Sequence, residues 1–223
     1  MIHKNTLKFL KDIKKNNSKE WLDENRSGYL FAKDDILNMS QKLINSVSEF
    51  DTGIANAYLD PKKCITRLNR DLRFSKDKTP YKTDYYIVLN QNGKNSSSAF
   101  YYVHIEPDNC FVGGGVYNPQ PAELKKIRSE INASFTEWNK IIKSKDFQTK
   151  FPSGIHHSGT FIRSPKGFED DNPAIEFLKM KGFYTQETIS DKEIQSNQIL
   201  EKITDYFKSV KPLVDFLNMA IEE

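Results

Sequence analysis

The first fifty residues carry apolar side chains at helical spacing. Leu7, Leu10 and Ile13 recur every three residues. A second segment has a mostly apolar face of the same period, formed by Ile36, Ser40, Leu43, Ile44 and Val47. Side chains three and four positions apart lie on one face of an α-helix. The pattern therefore predicts a helical region over residues 1–50.

The middle of the chain contains three apolar runs that are rich in aromatic and β-branched side chains. They cover residues 85–89, 99–105 and 110–117, and short polar segments separate them. Such runs favour β-strands, and short connections favour antiparallel pairing of neighbouring strands. We predict an antiparallel meander within a mainly β region that spans residues 62–118.

Helical spacing returns after residue 118, where Leu124, Ile127 and Ile131 share one face. Residues 119–223 are predicted to be mixed but mainly helical, with one more strand from Phe183 and a last helical region bent or broken near Pro212. The strands lie between two helical blocks, which is typical of an α+β fold. We predict one α+β domain over residues 1–223, with the sheet packed by N-terminal and C-terminal helices.

Composition narrows the class of protein. The 223 residues are 37% hydrophobic and 28% charged, which suits a globular chain with one substantial core. Two distant cysteines, Cys64 and Cys110, form no CxxC pair, so no metal site is predicted. The N-terminus lacks the apolar core of a signal peptide, and no run has the length of a membrane span. A cytoplasmic protein without membrane contact is expected, while its cofactors and oligomeric state are left open.

Positive charge is concentrated in one segment, Arg67–Lys82, which is called the basic loop below. It contains three arginines, three lysines and two carboxylates, a local balance of +4 in a chain of net charge +3. Because the remaining residues sum to about −1, the excess of cations is local. Closely spaced arginines suit a phosphate or a carboxylate. A long polyanion would favour a more strongly basic chain.

Alternation along the basic loop suggests how its side chains are arranged. In an extended segment Arg67, Asp71 and Arg73 share one face, and Arg70 lies on the other. Asp71 would then lie between two arginines and hold both in place. The predicted anion ligands are Arg67, Arg70, Asp71 and Arg73, joined by the mobile charges of Lys76, Lys78 and Lys82. A structural ion-pair network would use the same residues.

Two further segments are candidates to complete such a pocket. Gly113, Gly114 and Gly115 interrupt a predicted strand, which indicates a bulge or a close backbone approach, and they would let backbone N–H groups face a ligand. Packing against a crossing side chain explains them equally well. Arg163 and Lys166 flank a proline at the end of a short predicted strand, where they would form the rim of a pocket or an exposed turn.

One strand carries the best candidates for proton transfer. Tyr102, His104 and Glu106 alternate along it and therefore share a face of the sheet. An imidazole beside a carboxylate is the minimum requirement for general acid–base chemistry, so His104 and Glu106 are the predicted catalytic residues. A cross-strand ladder of hydrogen bonds would use the same side chains.

Four of these segments together resemble a known family. Residues 70–82, 104–107, 112–117 and 163–168 are similar to the family called domain of unknown function 2461. The likeness extends from the helix at Trp21 to the closing helix around Pro212. It implies a widespread, soluble, single-domain protein, and it brings no activity with it.

The sequence thus supports two hypotheses from different classes. In the first, a basic pocket beside the sheet binds a small phosphorylated or carboxylated ligand, with transfer or hydrolysis as the reaction open to it. In the second, a non-enzymatic module binds nucleic acid or a protein through the same basic face, where aromatic side chains between arginines would stack on bases. The sequence does not decide whether chemistry follows binding.

Overall fold

A computed structural model describes residues 1–222 and confirms the α+β class. Four strands form one antiparallel sheet in the order β1-β2-β3-β4. The strands are β1 (Tyr85–Leu89), β2 (Phe100–Ile105), β3 (Cys110–Val116) and β4 (Phe183–Ile189). The three strands of the predicted meander are confirmed. Buried and half-buried side chains alternate along β1, which fixes its register, whereas β2 is buried along most of its length.

The chain divides into two compact units. One comprises residues 1–89, 102–112 and 188–204, and the other comprises residues 90–101, 113–187 and 205–223. The boundaries fall at the end of β1, within β2, β3 and β4, and within the last helix. A single domain over the whole chain stays a prediction.

The first unit contains the predicted N-terminal helices. They are α1 (Lys4–Lys15), α2 (Lys19–Glu24), α3 (Arg26–Ser48), α4 (Thr52–Asn56) and α5 (Pro61–Cys64). The apolar stripe of α1, with Leu7, Leu10 and Ile13, is buried, and α1 packs on α3. Side-chain oxygens of Ser18 and Asp51 accept backbone N–H bonds where α2 and α4 begin.

The second unit contains most of the later helices. They are α6 (Pro121–Ala133), α7 (Phe135–Ile142), α8 (Lys145–Lys150) and α9 (Ile175–Leu178). Of the other two helices, α10 (Asp191–Ile194) lies in the first unit, and α11 (Ile199–Glu222) begins in the first unit and ends in the second. The indole of Trp138 is fully buried, with its centroid 5.4 Å from that of Phe177 and 5.3 Å from that of Phe216. Between residues 119 and 222 the described chain is mainly helical and also contains β4.

The last helix departs from one expectation. A bend or a break was predicted near Pro212; α11 continues through this residue, so the break is absent, while a bend stays a prediction. A proline inside a helix removes one hydrogen bond and costs about 3 kcal/mol. Val210, Leu213 and Leu217 are buried on both sides of it, and their burial holds the helix together.

Candidate functional site

The basic loop is an irregular hairpin whose stem is closed by backbone hydrogen bonds. Lys82 N donates to Leu68 O (2.7 Å), and Arg70 N donates to Pro80 O (2.9 Å). The Asn17 side chain fixes this stem from the α1–α2 turn, since it donates to Tyr81 O (2.9 Å) and accepts from Tyr81 N (3.0 Å). The segment between the stem residues is mostly exposed.

Arg70 organises the interior of the basic loop. Its Nη1 donates to the carboxylate of Asp77 and to the hydroxyl of Thr79, and its Nη2 lies 3.4 Å from Ser75 Oγ. Thr79 N donates to Asp77 Oδ1 (2.9 Å) as well. The ion pair of Arg70 with Asp77 therefore fixes the loop from inside, a role that was predicted for Asp71; this pair is called the brace below.

Asp71 was predicted to hold two arginines, but within residues 1–222 Arg73 is the one loop arginine that it binds. Arg73 Nε is 3.0 Å from Asp71 Oδ1, and Arg73 Nη2 is 2.6 Å from Asp71 Oδ2. Such side-on pairing of a guanidinium with a carboxylate is strongly directional. The Arg73 hydrogen bonds lower the pKa of Asp71. Both carboxylates of the loop are thus occupied by its own arginines.

The Asp77 carboxyl gives a direct test of this arrangement. The backbone N–H of Thr79, followed by the Arg70 guanidinium, lowers the pKa of Asp77 from 3.8 to about 2. A depressed pKa stabilises the folded loop above the unfolded pKa of 3.8, and this contribution is lost as pH falls through about 2. We expect Asp77 to titrate near pH 2 by carboxyl-detected NMR, and to return toward its ordinary value in Arg70→Gln. A midpoint near 3.8 in the unmodified protein would contradict the brace.

Four cations of the basic loop have no carboxylate partner in the described part of the chain. They are Arg67, Lys76, Lys78 and Lys82. Of these, Lys78 donates to Leu72 O (3.1 Å). Lys82 forms the hydrogen-bonded pair with Leu68, and Arg67 directly precedes Leu68, so both belong to the stem.

The predicted catalytic histidine is enclosed. His104 is 4% exposed, and its ring lies 4.4 Å from the Tyr86 centroid and 4.3 Å from the Phe111 centroid. Nδ1 is 2.9 Å from Asn109 O; because a carbonyl oxygen only accepts hydrogen bonds, Nδ1 is the donor. The other ring nitrogen, Nε2, lies 3.3 Å from Asp84 Oδ2. Asp84 is therefore the carboxylate nearest to Nε2 among the ion pairs of residues 1–222.

The predicted partner Glu106 binds other groups. Its Oε1 is 3.3 Å from Lys14 Nζ and 3.4 Å from Thr83 Oγ1, and its Oε2 accepts from Asn109 Nδ2 (2.9 Å). Thr83 and Asp84 directly follow the basic loop. The structure therefore brings the exit of the loop beside the end of β2, although catalysis by His104 and Glu106 stays a prediction.

The remaining predicted residues lie in the second unit. A Cβ on Gly114 would approach Val210 Cγ1 to 3.0 Å, and a Cβ on Gly115 would approach Phe183 O to 2.2 Å. Gly113 is buried, whereas Arg163 and Lys166 are exposed. Close backbone approach thus accounts for Gly114 and Gly115, and a ligand role for these glycines stays a prediction.

Sequence reasoning missed Asp77 as the brace, and it missed Asp84, Thr83 and Lys14 as neighbours of the candidate catalytic pair. Asp84 precedes β1 directly, which was its only sequence signal. Its contact with His104 depends on the register between β1 and β2, and one strand alone does not specify that register.

A cleft of about 450 Å³ lies elsewhere in the first unit, between α1 and the beginning of α3. It contains none of the predicted site residues. Its lining consists of Asn5, Lys8, Phe9, Asp12, Asn25, Ser27, Gly28 and Phe31. Among residues 1–222, no group of three or more His, Cys, Asp or Glu side chains is placed to hold a metal ion. Over the same residues, no helix combines the length and apolar character that a bilayer crossing requires.

Comparison with known proteins finds one family. The family model described as "Conserved hypothetical protein (DUF2461)" matches residues 5–216. No curated protein and no solved structure matches the chain. The resemblance inferred from the four sequence segments is confirmed.

Proposed function

Since the chain belongs to the family of conserved hypothetical proteins DUF2461, whose description names no activity, we propose a function from the site itself: the basic loop binds the phosphate or carboxylate group of a small ligand. The observation that carries this proposal is that some cations of the loop are paired with carboxylates of the loop and others are not. Arg70 and Arg73 are held by Asp77 and Asp71, whereas Arg67 and Lys82 lie at the stem and pair with no carboxylate of residues 1–222.

Preorganisation is the physical reason why this division favours binding. A loop that is fixed by its own ion pairs loses little conformational entropy when a ligand arrives. The cations that remain contribute charge-assisted hydrogen bonds to an oxyanion. Transfer or hydrolysis at His104 and Glu106 is not included in this proposal, because His104 is enclosed and both of its ring nitrogens have partners. A cytoplasmic location also remains a prediction.

Calorimetric titration with inorganic phosphate, and separately with citrate, tests the proposal. We expect saturable binding that weakens about tenfold or more in the double variant Arg67→Gln/Lys82→Gln, because two charged hydrogen-bond donors are lost. The control Lys125→Gln/Lys140→Gln removes the same net charge from exposed positions on other elements and should bind normally. Equal weakening in both double variants, or no saturable heat with either anion, would refute the site.

One observation favours a second candidate, a non-enzymatic nucleic-acid-binding surface. Phe74 is 95% exposed in the basic loop, and the guanidinium carbon of Arg73 lies 5.9 Å from the centroid of its ring. Base stacking on an exposed aromatic ring contributes about 1–3 kcal/mol per base. Under this alternative, single-stranded DNA binds with a steep salt dependence and Phe74→Ala weakens it. Under the small-ligand proposal, Phe74→Ala leaves phosphate binding unchanged.

A further inference from the structure

The second unit contains a buried cation to which the described residues bring no counter-charge. Arg128, on α6, is 8% exposed, and its Nη2 donates to Met180 O (2.9 Å). Its Nε is buried and has no hydrogen-bond partner, and none of the carboxylates of residues 1–222 forms an ion pair with it. Asp170, the carboxylate of a following loop, contacts Lys179 and Ser164 instead.

The geometry of Arg73 shows what this guanidinium lacks. In Arg73, Nε and Nη2 together hold the two oxygens of Asp71. In Arg128 the same edge carries only one carbonyl oxygen. Burying an ion is unfavourable unless a counter-charge and hydrogen bonds replace its hydration. Consistent with this, burial lowers the pKa of Arg128.

A second cation approaches the same place. The guanidinium carbon of Arg128 is 4.8 Å from the Phe161 ring centroid, and Lys181 Nζ is 4.5 Å from it. The two cations therefore lie no more than 9.3 Å apart, the sum of those distances. An aromatic ring attracts each cation but has no net charge, so the excess of positive charge persists. Phe161 is 41% exposed, which places this group at the protein surface.

We propose that Arg128, Lys181 and Phe161 form a binding site for a small oxyanion, a carboxylate or phosphate group that supplies the missing negative charge. Stacking on Phe161 uses the face of the guanidinium. Along its edge Nη2 is taken by Met180 O, so Nε and the nearby Lys181 Nζ are the donors proposed for the oxyanion. The site shares no residue with the basic loop, so it does not depend on the function proposed for that loop.

Side-chain NMR of the arginine Nε–Hε groups tests the site directly. The signal of Arg128 is assigned by its loss in Arg128→Lys, and the protein is titrated with inorganic phosphate and, separately, with benzoate. We expect a saturable shift of this signal with at least one of the two anions, and the anion that binds identifies the oxyanion class. In Lys181→Gln the affinity should fall about tenfold or more, because a charged donor is removed.

Two controls separate this site from general charge effects and from the basic loop. Lys140→Gln removes one exposed charge of the same unit and should leave the titration unchanged. Arg67→Gln/Lys82→Gln should also leave it unchanged, even if that variant no longer binds phosphate at the loop. The site is refuted if neither anion gives a saturable shift, or if Lys181→Gln binds as tightly as Lys140→Gln.

Discussion

Replacing Gly115 with alanine is expected to lower the free energy of unfolding by about 4 kcal/mol. The residue has a φ of +128°, a backbone region that L-residues rarely adopt and that costs alanine about 1–3 kcal/mol. A Cβ there would also lie 2.2 Å from Phe183 O and 2.6 Å from Tyr184 Cα. Both are backbone atoms of β4, so relief requires movement of a strand, and overpacking of this kind costs about 1–3 kcal/mol or more.

Gly167→Ala is the matched control for Gly115→Ala. Gly167 has a φ of +95°, but beyond its two chain neighbours no other described residue has an atom within 4 Å of the position of its Cβ. This variant should lose only the conformational part, about 1–3 kcal/mol. Urea unfolding monitored by circular dichroism measures both losses. Similar losses in the two variants would show that β4 yields to the new methyl group, contrary to our expectation.

Truncation of Trp138 to alanine is expected to cost about 3–5 kcal/mol, the range for a large aromatic residue in a core. Its indole is fully buried among the rings of Phe177, Phe183 and Phe216, with centroids 5.3–6.0 Å away. The cavity left by alanine would remove contacts of all three rings. The loss is measured as the shift of the urea midpoint at constant slope.

Trp138→Phe separates the packing of this ring from its polar atom. Trp138 Nε1 is buried and has no hydrogen-bond partner among residues 1–222. Phenylalanine retains much of the packing and removes an unsatisfied donor, whose burial is unfavourable. We expect this variant to lose less than about 2 kcal/mol. A loss as large as that of Trp138→Ala would mean that the indole N–H forms a bond essential to the core.

The strands were predictable because their sequence signal is local. The observed bounds of β1 to β3 agree with the predicted runs to within one residue, since aromatic and β-branched runs ended by polar turns determine where a strand starts and stops. Pro212 shows the limit of local rules. Its effect on α11 was decided by the burial of Val210, Leu213 and Leu217, which depends on what packs around the helix.

The sequence could predict which charged residues make up the candidate site, but not which arginine pairs with which aspartate. The sequence identified the basic loop and its excess of charge, yet it assigned the brace to Asp71 when Asp77 binds Arg70. Alternation describes an extended strand, whereas the chain from Arg70 to Thr79 closes on itself and brings residues seven and nine positions apart into contact. Which side chains meet across a loop depends on how the loop closes, and the two-residue period of a strand does not describe it.

By itself, the sequence determined the α+β class, the positions of the strands, the family and the concentration of positive charge in the basic loop. Only the tertiary structure decided which of those charges are paired, that Asp84 faces His104, and that Arg128 lies buried beside Phe161 with no carboxylate of the described chain against it. The physical reason is the range of the interactions. Periodicity and composition act between neighbours along the chain, while burial and ion pairing depend on groups brought together from distant positions by the fold.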